Sequence, residues 1–186
     1  MNNIKKNSFL LTIFSLISIT FILSANVANA AELKIGEIPK EVKLDGDLGG
    51  RVDGNPFSTA ELKGKVYTVM YVDPDEKDIN PHVEAALKAE DFPKDKYGSV
   101  AIINMAATWK PNVFIESALK EKQQKYPNTT YVRDIKKTFV KEWELADDNY
   151  DILTFNKEGK LLFAKNGKFS DEDVSKLIAT IKEALK

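Results

Sequence analysis

A chain that carries Val66-Tyr67-Thr68-Val69-Met70-Tyr71-Val72 as one unbroken stretch has to bury it on both sides. The stretch is mostly apolar and is β-branched or aromatic almost throughout. It lacks the polar alternation of a strand with one wet face, so it reads as a central strand covered above and below. Asp73-Pro74 ends it. Such a strand requires a layer of other elements on each face, and the sequence supplies them by alternation.

Before it, residues 33–57 are rich in Gly, Asp and Pro, with short apolar touches at Ile35, Ile38, Val42 and Leu44. That composition reads as an irregular arm or short edge strands. Ser58 is placed to cap a single helical turn that Gly64 ends. After the strand, a helix is expected from near Pro81 to Ala89 and a second buried strand over residues 99–104. Asn112 is then expected to cap a helix reaching Tyr126, with the Phe114/Ala118 and Ile115/Leu119 pairs on one face and Pro127 closing it. A strand over 129–133 and a short helix over 138–145 follow, the helix turning Phe139, Val140 and Trp143 inward. Strands over 151–155 and 160–164 are joined by Asn156-Lys157-Glu158-Gly159, where Gly159 supplies the positive φ of a hairpin turn. The last helix is the clearest element. Ser170 caps it, acids fill its first turn, and Val174, Leu177, Ile178, Ile181 and Leu185 recur at helical spacing. The order is βαβα, an added strand and helix, then a hairpin and a terminal helix, which predicts an α/β fold with right-handed parallel crossovers.

The N-terminus carries Lys5 and Lys6, an apolar run over residues 9–23, and Ala28-Asn29-Ala30, in the order of a secretory signal. The run is short for a spanning helix, which needs about 20 residues, and Thr12, Ser15, Ser18 and Thr20 interrupt it. Cleavage after Ala30 is expected, leaving one domain over 31–186 without an integral membrane segment, working outside the cytoplasm. With 27 basic against 28 acidic residues interspersed along the chain, there is no basic stripe for nucleic acid. The chain has no cysteine, although export would permit disulfides, so burial alone must hold it together. Thiol nucleophiles, thiolate metal sites, disulfide exchange and a lipobox are excluded together.

Several phrases carry a resemblance: Ile35-Gly36, Gly64-Lys65-Val66, Ile102-Ile103-Asn104 followed by Ala107, Phe114-Ile115-Glu116-Ser117, Lys125-Tyr126-Pro127, Trp143-Glu144-Leu145, and Gly167 before Ser170. In order and spacing they are similar to the YtfJ family of small periplasmic proteins along nearly the whole mature chain. Leu62-Lys63-Gly64-Lys65-Val66 and Phe155-Asn156-Lys157-Glu158-Gly159-Lys160 also resemble phrases of redoxins and peroxiredoxins. The resemblance implies the periplasm and a thioredoxin-like, redoxin-type mixed sheet flanked by helices; it implies no reaction. Redoxins place a nucleophilic cysteine after the first core strand, where a helix N-terminus lowers its pKa. This chain has Asp73-Pro74-Asp75-Glu76-Lys77-Asp78 there. The cis-proline that thioredoxins carry before the closing hairpin is also missing, the matching residues being Asn149-Tyr150-Asp151.

Redoxin active sites are assembled from these two regions, so the resemblance implies that Asp147, Asp148 and Asp151 face the 73–78 turn. Such an acid cluster would be solvated and weakly structured unless a cation or a basic partner joined it. Asp73, Asp75 and Glu84 fall at positions one, three and twelve of a calcium loop, but Lys77 stands at five and Asp78 at six, where glycine is required. Helix capping is the simpler role for these acids, and no metal or other cofactor is expected. His82, the single histidine, lies on the first helix within reach of Asp78, as a solvated helix residue or as a base. Asn104 ends a core strand at the carboxyl edge of the sheet, where open α/β sheets bind ligands. Trp109 in the following loop either covers the core or forms a ligand platform.

The expected binding edge is therefore Asp75, Asp78, His82, Asn104, Trp109, Asp148 and Tyr150. The function expected is a binding or accessory module without thiol redox activity, for an envelope protein or a small ligand. The alternative is a cysteine-independent enzyme using the carboxylates Asp75, Asp78 or Asp148, with or without His82 and a divalent cation. A third reading, a subunit of an envelope complex, requires an exposed apolar patch.

Overall fold

The computed structural model describes residues 33–186, so the expected signal sequence and its expected cleavage point lie outside the described residues. Among the described residues eight strands are formed: β1 (Lys43–Leu44), β2 (Gly49–Arg51), β3 (Phe57–Ser58), β4 (Val66–Val72), β5 (Tyr97–Asn104), β6 (Thr129–Asp134), β7 (Tyr150–Phe155) and β8 (Leu161–Asn166). Four α-helices, α1 (Pro81–Ala89), α2 (Asn112–Lys125), α3 (Thr138–Trp143) and α4 (Asp171–Ala184), alternate with the later strands. Six strands make one mixed sheet in the order β2-β6-β5-β4-β7-β8. β4 lies at its centre, parallel to β5 and antiparallel to β7, while β6 runs parallel to β5.

The even and odd residues of β4 separate two cores. Val66, Met70 and Val72 pack with Val83 of α1, Leu119 of α2 and Leu177 and Ile181 of α4. Val69 and Tyr71 face Phe139 and Trp143 of α3 and the arm residues Val42, Leu44, Phe57 and Leu62. Each such fully buried Leu or Ile contributes roughly 1.5–3 kcal/mol, which explains how the fold stands without a disulfide. The Phe139 and Trp143 rings meet edge to face at 5.0 Å.

The arm holds a short β1–β3 ladder and the edge strand β2, and Ser58 and Glu61 form a reciprocal capping box on one 3-10 turn. Ser170 and Asp173 do the same for α4. Gly159 takes φ +84 in the β7–β8 turn. Gly49 is required for a different reason: a Cβ there would lie 1.9 Å from the Arg133 carbonyl oxygen of β6.

Helix α2 departs from expectation. Its N-cap is Pro111, and no side chain caps it; Asn112 is already its first residue. Of the pairs expected on its inner face, Leu119 is buried and Ile115 packs against the core, whereas Phe114 is 70% exposed. A helix laid on the edge of a sheet needs only a narrow apolar stripe, and Phe114 falls outside it.

Candidate functional site

The carboxyl ends of β4 and β5 and the start of β7 converge at one edge. The turn after β4 and the segment before β7 are joined directly, the Asp73 amide donating to the Asn149 carbonyl at 2.9 Å. Asp73 folds its carboxylate back onto the Asp75 amide (2.8 Å), so the turn that stands where redoxins hold their cysteine is an Asx turn. Asp75 pairs with Lys110 of the β5–α2 loop. Asn104 donates from Nδ2 to the Asp147 carbonyl (3.1 Å) and to Asp147 Oδ1 (2.9 Å), and Lys137 Nζ reaches Asp147 Oδ2 at 2.6 Å. The basic partners that an acid cluster needs are thus supplied from within, by Lys110 and Lys137.

Below this surface lies a buried polar layer. Tyr71 donates its hydroxyl to Asp134 Oδ2 (3.2 Å), and Asp134 also accepts the amides of Thr138 (2.8 Å) and Phe139 (2.9 Å), capping α3 from the end of β6. Two acceptors in this region, Asn104 Oδ1 and Asp151 Oδ2, are buried without a hydrogen-bond partner.

The electrostatics follow from these placements. The Lys110 ammonium and the Thr108 hydroxyl hold Asp75 below its ordinary value. Burial opposes ionisation of Asp147, but the bonds from Lys137 and Asn104 outweigh it and the carboxyl ends below its ordinary value. Asp73 is raised, first by burial, with the charges of Asp75, Asp148 and Glu76 adding to it against the bond from the Asp75 amide. Burial pushes Asp151 up to about 7, opposed by the Ala146 amide. Burial, and then the Asp134 charge, drive the Tyr71 phenol well above its usual range.

Four of the seven expected residues belong to this edge. Asp75 and Asn104 are in the network, Asp148 lies close enough to Asp73 to raise it, and Trp109 stands on the adjoining loop. Trp109 does not cover the core: it is 87% exposed, beside exposed Val113 and Phe114 in the first turn of α2. The other three do not converge here. Asp78 is in solvent, pairs with Lys77 and is held below its ordinary value by that lysine. His82 engages the Phe169 carbonyl through Nε2 at 3.0 Å, joining α1 to the entrance of α4, and makes no bond to Asp78. Tyr150 is a core residue whose hydroxyl donates to Glu84 of α1 (3.1 Å).

Lys137 and Asp134 were not foreseen. An aspartate closing an apolar strand four residues before a helix is a legible capping signal. Nothing in the sequence separates Lys137 from the other surface lysines. Among the described residues no three or more His, Asp or Glu side chains form a group able to hold a metal ion. The two cavities described, about 100 Å³ beside Trp143 and Leu62 and about 300 Å³ beside Arg51 and Gln123, lie away from this edge.

A sheet of order β6-β5-β4-β7-β8, with helices on both faces and an acidic turn in the nucleophile's place, defines a thioredoxin-like protein without redox cysteines. Solved structures agree. A thiol:disulfide interchange protein DsbE from Chlorobium tepidum, described as putative, gives a TM-score of 0.58 at 16% identity, covering 83% of this chain and all of that one. The exposed lipoprotein thioredoxin Etrx1 of Streptococcus pneumoniae gives 0.57 at 16% identity, covering 77% and 99%. At such identity the likeness concerns the fold alone. The chain belongs to the YtfJ family: residues 29–184 match the family described as "Bacterial protein of unknown function (YtfJ_HI0045)". It is 24% identical over 185 residues to the Escherichia coli K12 "Uncharacterized protein YtfJ", spanning 95% of this chain and the whole of that protein. It is also 31% identical over 129 residues to a Haemophilus influenzae protein, spanning 68% and 70%.

Proposed function

We infer that the chain is exported to the periplasm, loses its signal after Ala30, and acts over residues 31–186 as a binding module that holds a protein partner on its carboxyl edge. The carrying observation is the exposed aromatic and apolar surface of Trp109, on the loop tied down by the Lys110–Asp75 pair, with Val113 and Phe114 in the first turn of α2. Exposed apolar groups gathered at one end of a domain favour a macromolecular contact. A small ligand is less well served, because neither described cavity lies here.

The carboxylate-enzyme alternative is not favoured. Asp75 and Asp78 are held below their ordinary values in solvent, the reverse of what acid–base catalysis near neutrality asks. Asp151 is raised, but neither described cavity reaches it.

The test is affinity capture from the native envelope with the wild type and with a Trp109→Ala/Phe114→Ser variant. One discrete partner retained by the first and lost by the second, with equal thermal stability, is the expected result. Turnover of peroxide or reduction of insulin disulfides by the purified protein overturns the reading.

A further inference from the structure

The segment 146–149 has no helix or strand of its own and crosses the carboxyl edge as a strap between Leu145 and Tyr150, which are buried. Few bonds hold it: the Ala146 amide to the Asp151 carboxyl, Asn104 and Lys137 to Asp147, and the Asp73 amide to the Asn149 carbonyl. Beneath it sits Asp151, only 5% exposed, with Oδ2 unpartnered.

Only one neighbour, the Ala146 amide of the strap, stabilises the Asp151 charge, and burial outweighs it. Its register partner on β4 is Tyr71, a phenol, with Asp73 beyond it on the same strand's exit. Across on β8 is Asn166, which is uncharged. The strap adds the Ala146 amide, Asp147 and Asp148. From the β6–α3 side come Asp134, already bonded to Tyr71 and two amides, and Lys137, bonded to Asp147. No cation pairs with Asp151 among the described residues. An anion there would be buried with one amide bond and no cation, and the cheapest relief is to let water in by lifting the strap.

We propose that the 146–149 strap is a proton-controlled latch, closed over Asn104 and Asp151 when the Asp151 carboxyl is protonated and opening when that proton leaves. The buried carboxyl's rise to about 7 places the change in the range a compartment open to ambient pH experiences. An opened strap exposes Asn104 and frees Lys137, altering the edge beside Trp109. The latch does not depend on that edge binding a protein, so failure of capture and failure of the latch are separate results.

Hydrogen exchange read by NMR on the exported protein tests it. After correction for intrinsic rates, opening at the Ala146 and Asp73 amides is expected to rise about tenfold per pH unit from pH 5 to pH 7 and then level off. The Val69 amide in β4 stays protected throughout, and Asp151→Asn abolishes the dependence. Flat exchange in the wild type, an equal rise in Asp151→Asn, or Val69 exchanging in step overturns the proposal. A carbon-13 titration of the wild-type carboxyls decides it should the variant not fold: Asp151 titrating at its ordinary value overturns the latch, and titration near neutrality in step with the exchange supports it.

Discussion

Replacing Asp151 by Asn removes a buried carboxyl that can ionise and leaves its shape nearly unchanged. In the native state this carboxyl rises from 3.8 to about 7 because it is buried. A carboxyl whose native value is raised makes the folded state bind more protons than the unfolded one. Its penalty is therefore absent below about pH 3.8, grows as pH rises to about 7, and is constant above. At 1.36 kcal/mol per pH unit the full penalty is about 4 kcal/mol, and opening of the strap limits it to less. Urea denaturation of both proteins at several pH values measures the difference. Asp151→Asn should exceed the wild type by about 1–4 kcal/mol at pH 8, with the gap closing toward pH 4.5. In melting temperature each kcal/mol corresponds to roughly 2–4 °C for a chain of this size. A difference that does not change with pH, of either sign, refutes the reasoning, because amide packing alone has no proton linkage.

Other substitutions separate the parts of the fold. Asp134→Ala strips the cap from α3 and the acceptor from Tyr71, and should cost about 2–4 kcal/mol in urea denaturation. Gly49→Ala forces a Cβ into the Arg133 carbonyl at φ +124, and should cost more than about 2 kcal/mol and expose the Ile135 amide to exchange, since that amide bonds to Leu48. Trp109→Ala should change stability by no more than about 0.5 kcal/mol in a thermal melt, the side chain being in solvent. Lys110→Ala should move the Asp75 carboxyl upward, toward its ordinary value, in an NMR titration, because Lys110 is the first cause of its depression.

The elements that sequence revealed are those whose signals are local. The β4 stretch could only be a strand buried on both faces, and the acids after Ser170 could only start a helix. The joining of the 73–78 turn to the segment before β7 came from the likeness to redoxins, and one backbone bond, Asp73 to Asn149, bears it out. What sequence could not reveal depends on rotation and depth. His82 and Tyr150 lie near the edge along the chain, yet their side chains serve the α1 and α4 face. Asp151 follows Tyr150 by one residue, and strand alternation sends it to the opposite core. Phe114 and Trp109 have core-like side chains and stand in solvent, because the β5–α2 loop carries them past the rim of the sheet. Residue type alone does not report that.

Site-specific photo-crosslinking in intact cells, with the reactive residue at position 109 and a control at the exposed Lys176 of α4, most directly examines the proposed binding edge. A discrete adduct with one envelope protein from position 109, absent from position 176, is expected. The same adducts from both positions, or none from position 109, would show that Trp109 marks no binding surface.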